Sequence, residues 1–483
     1  MAILFDTSLA ESGSPAIEFA DGEVLTWKHL VQCVVTDARA IGASAHNTAV
    51  LGTSDSLTCL YGLLVGAWLG LVVRIEDGAP EVIEGASKFD EVINDRVESG
   101  LLRREGAGDS ALKSRELSGQ NTNWSIELRT SGSSGKPKKV KISAEALEFQ
   151  GRAVAERLAL TRYDRQLMYM PLNYVYGLSV VLTWIRSGST LVISKYPVTQ
   201  ASQFFQQLME RDITVFSGVP YTYSLLTRWG LGKLDGTRLR LLTQAGGKLK
   251  HRDREALKTV ASKIKLVIMY GQTEFGGRIA QSSPCDGAVE PDCVGTLLDG
   301  VNVSICEPDE YGYGLVYVSS PSLCENAFEL LDCREINGRR YFSTGDYGAL
   351  IGGKLYISGR NKGFVKLGGQ RIPTPAIERL VEDAVPGAEC HTYADDGRLE
   401  CLIIAVFNSK PLPFDTQPEA FRFLVDSAKR NELLLPLLAK VPFKLFVVVG
   451  DVPRLANGKT ALLEVQSIVK DAKNLEDSIH IWL

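Results

Sequence analysis

From residue 125 to 270 the chain alternates short apolar runs with longer amphipathic ones, and this alternation limits its fold more than any other feature. The pattern predicts strands at 125–130, 138–143, 166–171, 189–194, 213–217, 239–243 and 264–269. It predicts helices at 144–159, 175–187, 199–211, 220–229 and 250–262. Strands and helices that alternate in this way bury their apolar faces as a layered α/β unit with a largely parallel sheet. Ligands of such sheets bind at the loops beyond the strand ends. A single core stops growing near about 250–300 residues, so a chain of 483 residues implies at least two domains.

The flanks fit that layout. Residues 16–37 read as a hairpin with its turn at Asp21–Gly22, followed by a helix from about Lys28. A buried strand lies in "NTAVLGTSDS". The one membrane-like run, "LTCLYGLLVGAWLGLVV" at 57–73, is short for a span and rich in glycine. It reads as a buried helix and the strand after it, so no membrane span is expected. Residues 84–122 are polar and read as loops. From 292 to 358 short strands joined by Gly-rich turns predict a β-rich part. After "GRNKG" the pattern restarts as hairpin, helix, two strands, helix, strand and helix, enough for a small α+β domain. The boundary falls near Lys362, giving domains at 1–361 and 362–483.

Charge and cysteine usage remove several classes. The net charge is −4, with acids and bases mixed along the chain and no basic stripe, which argues against nucleic acid as a partner. The nine cysteines form no CxxC pair and the five histidines do not cluster. A disulfide framework, a zinc site and a His-based triad are therefore not expected, and a reducing cytoplasm fits. "MAILFDTSLAESG" lacks the basic start of a secretory leader.

The segment "LRTSGSSGKPKKVKIS", 128–143, sits between two strand-like runs. Gly132 and Gly135 let backbone amides turn toward one point, and clustered amides make a concave anion site. Thr130, Ser131, Ser133 and Ser134 add hydroxyls, and Lys136, Lys138 and Lys139 add charge. A phosphate chain suits such a loop; taken alone, a solvated surface hairpin fits equally. A Walker-type loop does not fit, because Pro137 and a strand follow Lys136 where that loop needs a helix.

Further segments complete the set. "YGQTEFGG", 270–277, follows a strand and places the Thr273 hydroxyl beside the Glu274 carboxylate, a pair suited to a phosphate oxygen and a magnesium ion. "STGDYG" places Asp346 after a strand, where a carboxylate suits both hydroxyls of a ribose. "SGRNKGFVKLGGQRI", 358–372, carries Arg360, Lys362, Lys366 and the pair Gly368–Gly369. "PRLANGKTAL" presents Lys459 on a turn before the last helix.

In this order and at these separations, the segments resemble the acyl-adenylate-forming (AMP-binding) superfamily, which includes acyl-CoA synthetases, the adenylation domains of peptide synthetases and luciferases. The resemblance runs from about residue 16 to 470. It implies a large N-terminal α/β domain with a β-rich part and a small mobile C-terminal α+β lid. It implies an AMP-forming ligase that uses ATP and Mg²⁺ to activate a carboxylic acid. Thr130, Ser131, Gly132, Ser133, Ser134, Gly135 and Lys138 resemble the loop over the β- and γ-phosphates. Gly246, Gly247 and Lys248 match the adenine side, with Tyr270 stacking on the base and Gly271 and Gln272 completing that wall. Thr273 resembles the α-phosphate contact, Glu274 the magnesium ligand, and Asp346 with Arg360 the ribose pair. Lys459 resembles the lysine that bridges the attacking carboxylate and the α-phosphate.

Two positions depart from common family patterns. Lys362 occupies the hinge where aspartate is usual, as in luciferases, and rotation there would bring Lys366, Gly368 and Gly369 to the adenylate for the second half-reaction. "PLNYVYG" places Tyr174 where many relatives have histidine. Tyr174, Val175, Tyr176, Gly177, Ser217 and Gly218 are expected to line the acid pocket. An acid that would hold an α-ammonium group is not evident, so an aliphatic, alicyclic or aryl carboxylic acid is expected. Coenzyme A leads as acceptor; the phosphopantetheine thiol of an acyl carrier protein, an amine, and a non-catalytic nucleotide-binding relative remain as alternatives.

Overall fold

The computed structural model describes residues 7–41, 48–53, 55–76, 93, 97, 123–131, 137–249, 251–259, 264–283, 292–308, 312–360, 364–367, 370–373, 378, 389–394, 402–408, 443–449 and 465. Of the loops expected at 84–122, Ile93 and Val97 are instead helical, Ile93 being packed into the core; the rest of that stretch, the tip 132–136, the hinge Lys362, and Gly368, Gly369 and Lys459 lie outside the described residues.

The opening hairpin joins β1 (Pro15–Glu18) to β2 (Val24–Thr26), and a helix over Trp27–Ile41 follows. β3 (Thr48–Gly52), β4 (Val72–Glu76), β5 (Ser125–Ser131) and β6 (Pro137–Ser143) form a four-stranded sheet in that order. Its first three strands are parallel and β6 closes it antiparallel to β5. The apolar run at 57–73 becomes the buried helix Ser56–Leu69 and then β4, as its sequence predicts. Among the described residues no helix is long and apolar enough to cross a membrane.

The alternating region builds one half of a large sheet. It comprises β7 (Arg165–Met168), β8 (Thr190–Ile193), β9 (Val215–Gly218), β10 (Leu241–Gln244) and β11 (Lys265–Tyr270), all joined in parallel. Side chains alternate across a strand, and the core divides accordingly. Val215, Leu241, Val267 and Met269 face one apolar cluster with the helices Ala144–Arg157 and Val175–Ser187. Phe216, Leu242 and Ile268 face the other with the helices Ala201–Glu210 and Pro220–Trp229. Burial of both faces explains why these strands read as nearly continuous apolar runs.

The β-rich region does not stand apart. A two-residue strand, β12 (Ala280–Gln281), pairs antiparallel with β11 and then with β13 (Cys293–Leu297). β14 (Asn302–Cys306), β15 (Gly314–Ser319), β16 (Cys333–Ile336), β17 (Arg339–Ile351) and β18 (Lys354–Arg360) continue the same sheet. The C-terminal region supplies a hairpin, β19 (Phe364–Leu367) with β20 (Gln370–Pro373). It also supplies a sheet of β21 (Glu389–Ala394), β22 (Leu402–Asn408) and β23 (Phe443–Val449).

The N-terminal edge of the parallel strands is closed by ion pairs. Asp164, 3% exposed, receives Arg240 Nε at 2.8 Å and Nη2 at 2.7 Å, the Thr214 hydroxyl at 2.8 Å and the Thr161 amide at 2.8 Å. Burial alone would raise its carboxyl, but the bonds from Arg240, Thr161 and Thr214 outweigh it and hold it below the usual carboxylate range. Glu18 takes Arg165 and Arg211 at the same edge.

Candidate active site

Register carries the opposite edge. Gly218, Gln244 and Ile268 are matched across β9, β10 and β11, so the loops that follow them leave the sheet side by side. After Tyr270 the chain doubles back over a short 3-10 turn, Thr273–Phe275. The amides of Phe275 and Gly277 bond the Gln272 carbonyl, each at 3.1 Å, and the Ile279 amide bonds the Tyr270 carbonyl at 2.8 Å. Position 271 must be glycine: a Cβ there would sit 1.5 Å from the Gly277 oxygen and 2.8 Å from Arg278 Cα. This fold-back holds Thr273 and Glu274 half-buried at the turn.

Asp346 is the polar centre of the edge. The sequence places it after a strand, but β17 runs through it. Gly345, at φ +68°, supplies the left-handed step that lets the strand continue. The Asp346 side chain is 6% exposed, and its Oδ2 accepts the Tyr270 hydroxyl at 2.6 Å and Gln272 Nε2 at 2.8 Å. Gln272 also bonds the Thr344 carbonyl, and the Thr344 hydroxyl takes the Asp346 amide. Arg360 lies directly opposite Asp346 in the β17–β18 ladder. Tyr270, Gln272, Asp346 and Arg360 therefore come together from two distant segments. A carboxylate has about four lone-pair sites, so one oxygen fixed by two donors is compatible with receiving the hydroxyls of a sugar.

Next to this, Gly246 and Gly247 follow β10, with Gly246 at φ +83° and both exposed. Gln244, buried, bonds the carbonyls of Ala245 and Gly247 and fixes the turn. Lys248 extends to an ion pair with Asp292.

The stem of the Gly-rich loop is anchored to the same edge. Thr130 pairs with Lys138 across β5 and β6, and Ser131 ends β5. The Thr130 hydroxyl is buried without a hydrogen-bond partner among the described residues, and Lys138 Nζ donates to the Leu330 carbonyl at 3.2 Å. Asn326 completes the edge of β6, accepting the Lys141 amide at 3.1 Å and donating to the Lys139 carbonyl at 2.9 Å. The Glu325 amide bonds the Lys141 carbonyl, and the Cys324 amide bonds the Glu274 carbonyl at 2.9 Å. Burial first, and then the Glu274 carboxylate, push the Cys324 thiol up to about 12. Mg²⁺ is commonly held by one or two carboxylates with substrate phosphates and waters, and Glu274 fits that limited demand.

Of the expected acid-pocket residues, Ser217 lies on the sheet face covered by the helix Val175–Ser187, whereas Gly218 turns to the opposite face. Tyr174 precedes that helix, and Gly177 packs so closely on Pro171 that a Cβ would meet its carbonyl at 2.3 Å. The Tyr176 hydroxyl donates to the Thr243 carbonyl at 2.8 Å, and Thr243 donates to Ser217 at 2.8 Å. Tyr223 bonds the same Thr243 carbonyl. Gly218 closes β9 against Tyr223.

Sequence reading missed the residue that stands out here. Arg278, 2% exposed, lays its guanidinium 4.4 Å from the centre of the Tyr176 ring, with Nε 3.0 Å from Met269 Sδ. Its Nη2 is buried without a hydrogen-bond partner. Among the described residues no carboxylate pairs with it. Burial pushes the guanidinium below its ordinary value, with Tyr176 opposing, yet arginine stays protonated in proteins. A desolvated cation–π contact is worth about 2 kcal/mol, less than the several kcal/mol that removing a charge from water costs. Gln150 fixes the backbone around it, bonding Arg278 N and O, the Phe275 carbonyl and Ser322 Oγ. The available signal was a single charge in "FGGRIAQ", between a glycine turn and a buried strand.

A model of the family described as AMP-binding enzyme matches residues 105–325. MatB from Rhodopseudomonas palustris with bound ATP superposes at a TM-score of 0.71 and 20% identity, covering 98% of this chain and 99% of that one. Over residues 105–325 the chain thus resembles the AMP-binding enzyme family, and its fold is that of this solved structure. O-succinylbenzoate coenzyme A synthetase from Bacillus subtilis in complex with AMP has the same fold, at a TM-score of 0.69 and 19% identity over 97% of both chains. Among curated relatives, malonate–CoA ligase of Arabidopsis thaliana is 30% identical over 286 residues, 54% of this chain and 46% of its own length. The 2-succinylbenzoate–CoA ligase of Lactococcus lactis subsp. lactis (strain IL1403) is 28% identical over 276 residues, 56% of this chain and 57% of its own length. The chain spans about half the length of the curated relatives it matches.

Proposed function

We propose that this chain is an AMP-forming acid–thiol ligase that couples a carboxylic acid to AMP and then passes the acyl group to coenzyme A. The observation that carries the reading is the convergence of Tyr270 and Gln272 on buried Asp346, beside the Thr273–Glu274 turn and the Gly246–Gly247 loop. The relatives named above, a malonate–CoA ligase and a 2-succinylbenzoate–CoA ligase, support the choice of coenzyme A.

In the first step the acid's carboxylate oxygen attacks the α-phosphorus of ATP, and pyrophosphate leaves. Two anions must meet, so positioning and positive charge matter more than proton transfer. Asp346 and Arg360 hold the ribose, Tyr270 and Gly246–Gly247 flank the base, and Thr273 orients the α-phosphate. The loop from Thr130 to Lys138 covers the outer phosphates. Magnesium at Glu274 supplies charge neutralisation when bound. Lys459, from a lid spanning 362–483, bridges the two reacting anions. Rotation about Lys362 then brings Lys366 forward, the coenzyme A thiolate attacks the acyl carbon, and AMP departs. The scattered cysteines and the use of coenzyme A support a cytoplasmic location.

Carboxylate-dependent ATP–pyrophosphate exchange tests the first step, and thioester formation from coenzyme A, a carrier-protein thiol or an amine tests the second. Exchange with at least one acid, followed by a coenzyme A thioester, is expected. Nucleotide binding without exchange for any acid overturns the enzymatic reading. Lys459→Ala should cost about 2.7–4 kcal/mol in adenylate formation and spare transfer from a supplied adenylate; equal loss in both overturns its role.

A further inference from the structure

We propose that the acid activated here carries a second carboxylate, and that Arg278 receives it. The inference rests on the preceding reading that the chain activates a carboxylic acid, and it names the class of that acid.

Arg278 belongs to the site by geometry. Its Cα packs on Gly271, within the turn that carries Thr273, and its guanidinium lies on Tyr176, a pocket residue. The side chain runs inward from the edge to Met269, the residue before Tyr270. The reacting carboxylate belongs at the edge beside Thr273, so the deeper guanidinium takes a different group of the substrate.

The deep end holds polar groups left over after the neighbouring ones, Tyr176, Thr243, Ser217 and Gln150, have bonded one another or the backbone. Nη2 of Arg278 is buried and unbonded among the described residues. Gln281 stands opposite Met269 in the β11–β12 ladder, so its side chain shares Met269's sheet face. It is 2% exposed, and both its amide oxygen and its nitrogen lack partners among the described residues. Unbonded buried donors usually mark a missing partner. The guanidinium fork matches a carboxylate in charge and planarity, and the Gln281 amide offers a further donor on the same face. A methyl or phenyl terminus would leave these groups unsatisfied.

The test is ATP–pyrophosphate exchange on matched pairs, each a dicarboxylic acid and its half-ester or monoacid of equal length. The wild-type protein should prefer the diacid by about 100-fold or more in kcat/KM, since a site built around polar contacts rejects analogues that lack them. Arg278→Met should remove that preference chiefly through KM, with Arg278→Lys intermediate. Without ligand, Arg278→Met should also raise Tm, because it deletes an unpaired buried charge. Gln281→Leu should weaken the diacid by a smaller factor. Preference of the wild type for monoacids overturns the proposal while leaving acid activation intact; so does a diacid preference that survives Arg278→Met. A lowered Tm for Arg278→Met marks the arginine as structural and overturns it as well. Exchange with no acid in either set overturns acid activation and this inference together.

Discussion

Arg240 and Arg278 serve the same sheet from opposite ends and in opposite circumstances. Arg240, at the N-terminal edge, grips Asp164 through two nitrogens, and Thr161 and Thr214 occupy the rest of that carboxylate. Arg278, at the C-terminal edge, has an aromatic ring, a thioether and one buried nitrogen without a partner. The first arrangement is closed, with each charge matched inside the chain. The second is open, and it coincides with the edge where Asp346, Thr273 and the glycine loop gather. On the function proposed above, stability and ligand recognition fall to opposite ends of the same strands, as expected where binding sites sacrifice stability.

Substitutions at the two edges should separate these roles. The largest effect is expected for Asp346→Ala, which removes the acceptor of Tyr270 and Gln272. ATP-dependent exchange should fall about 1000-fold in kcat/KM for ATP, and a loss below tenfold would remove Asp346 from the ribose site. Asp164→Ala is the mirror case. It should cost about 3 kcal/mol in urea-induced unfolding, toward the low end for a buried pair because Arg240 is partly exposed. Its kcat/KM should stay at the wild-type value, and a large catalytic loss would break the division.

Acid should act on the closed edge in the same direction. The folded-state pKa of Asp164 is depressed, so its contribution is present above the unfolded value of about 3.9 and fades as pH falls through the folded one. Below about pH 4, wild-type stability should therefore drop with a component that Asp164→Asn lacks; identical acid profiles would refute this. The smallest effect is expected for Tyr270→Phe, which removes one donor from Asp346 and leaves Gln272 in place. KM for ATP should rise about fivefold, near 1 kcal/mol, and no change would assign the hydroxyl to packing alone.

Much of this layout was legible in the sequence because periodicity reports burial. The helices Val175–Ser187 and Pro220–Trp229 fall at their predicted bounds, and the other helices and strands of that region shift by one to a few residues. β12 was not legible, since two residues carry no period, and so the continuity of the β-rich part with the main sheet was missed. Gly345 beside Asp346 read as a strand end, whereas β17 absorbs it. Tyr270, Gln272 and Asp346 could be singled out because contiguous motifs carry them, whereas the hydrogen bonds that bring them together could not be read. Arg278 escaped because its significance lies in what does not surround it, and no local pattern encodes a missing partner. Gln150 and Asn326 act on segments far away in sequence, beyond any local window.

The bridge at 322–326 joins parts that belong to different sheets. Asn326 grips the descending strand of the Gly-rich loop, and the neighbouring Cys324 is bonded to the backbone of Glu274. The foundation of that loop and the perch of the Glu274 carboxylate are therefore one mechanical part. A single-residue deletion inside the bridge would throw both out of alignment together, leaving each motif spelled correctly and neither able to meet the other.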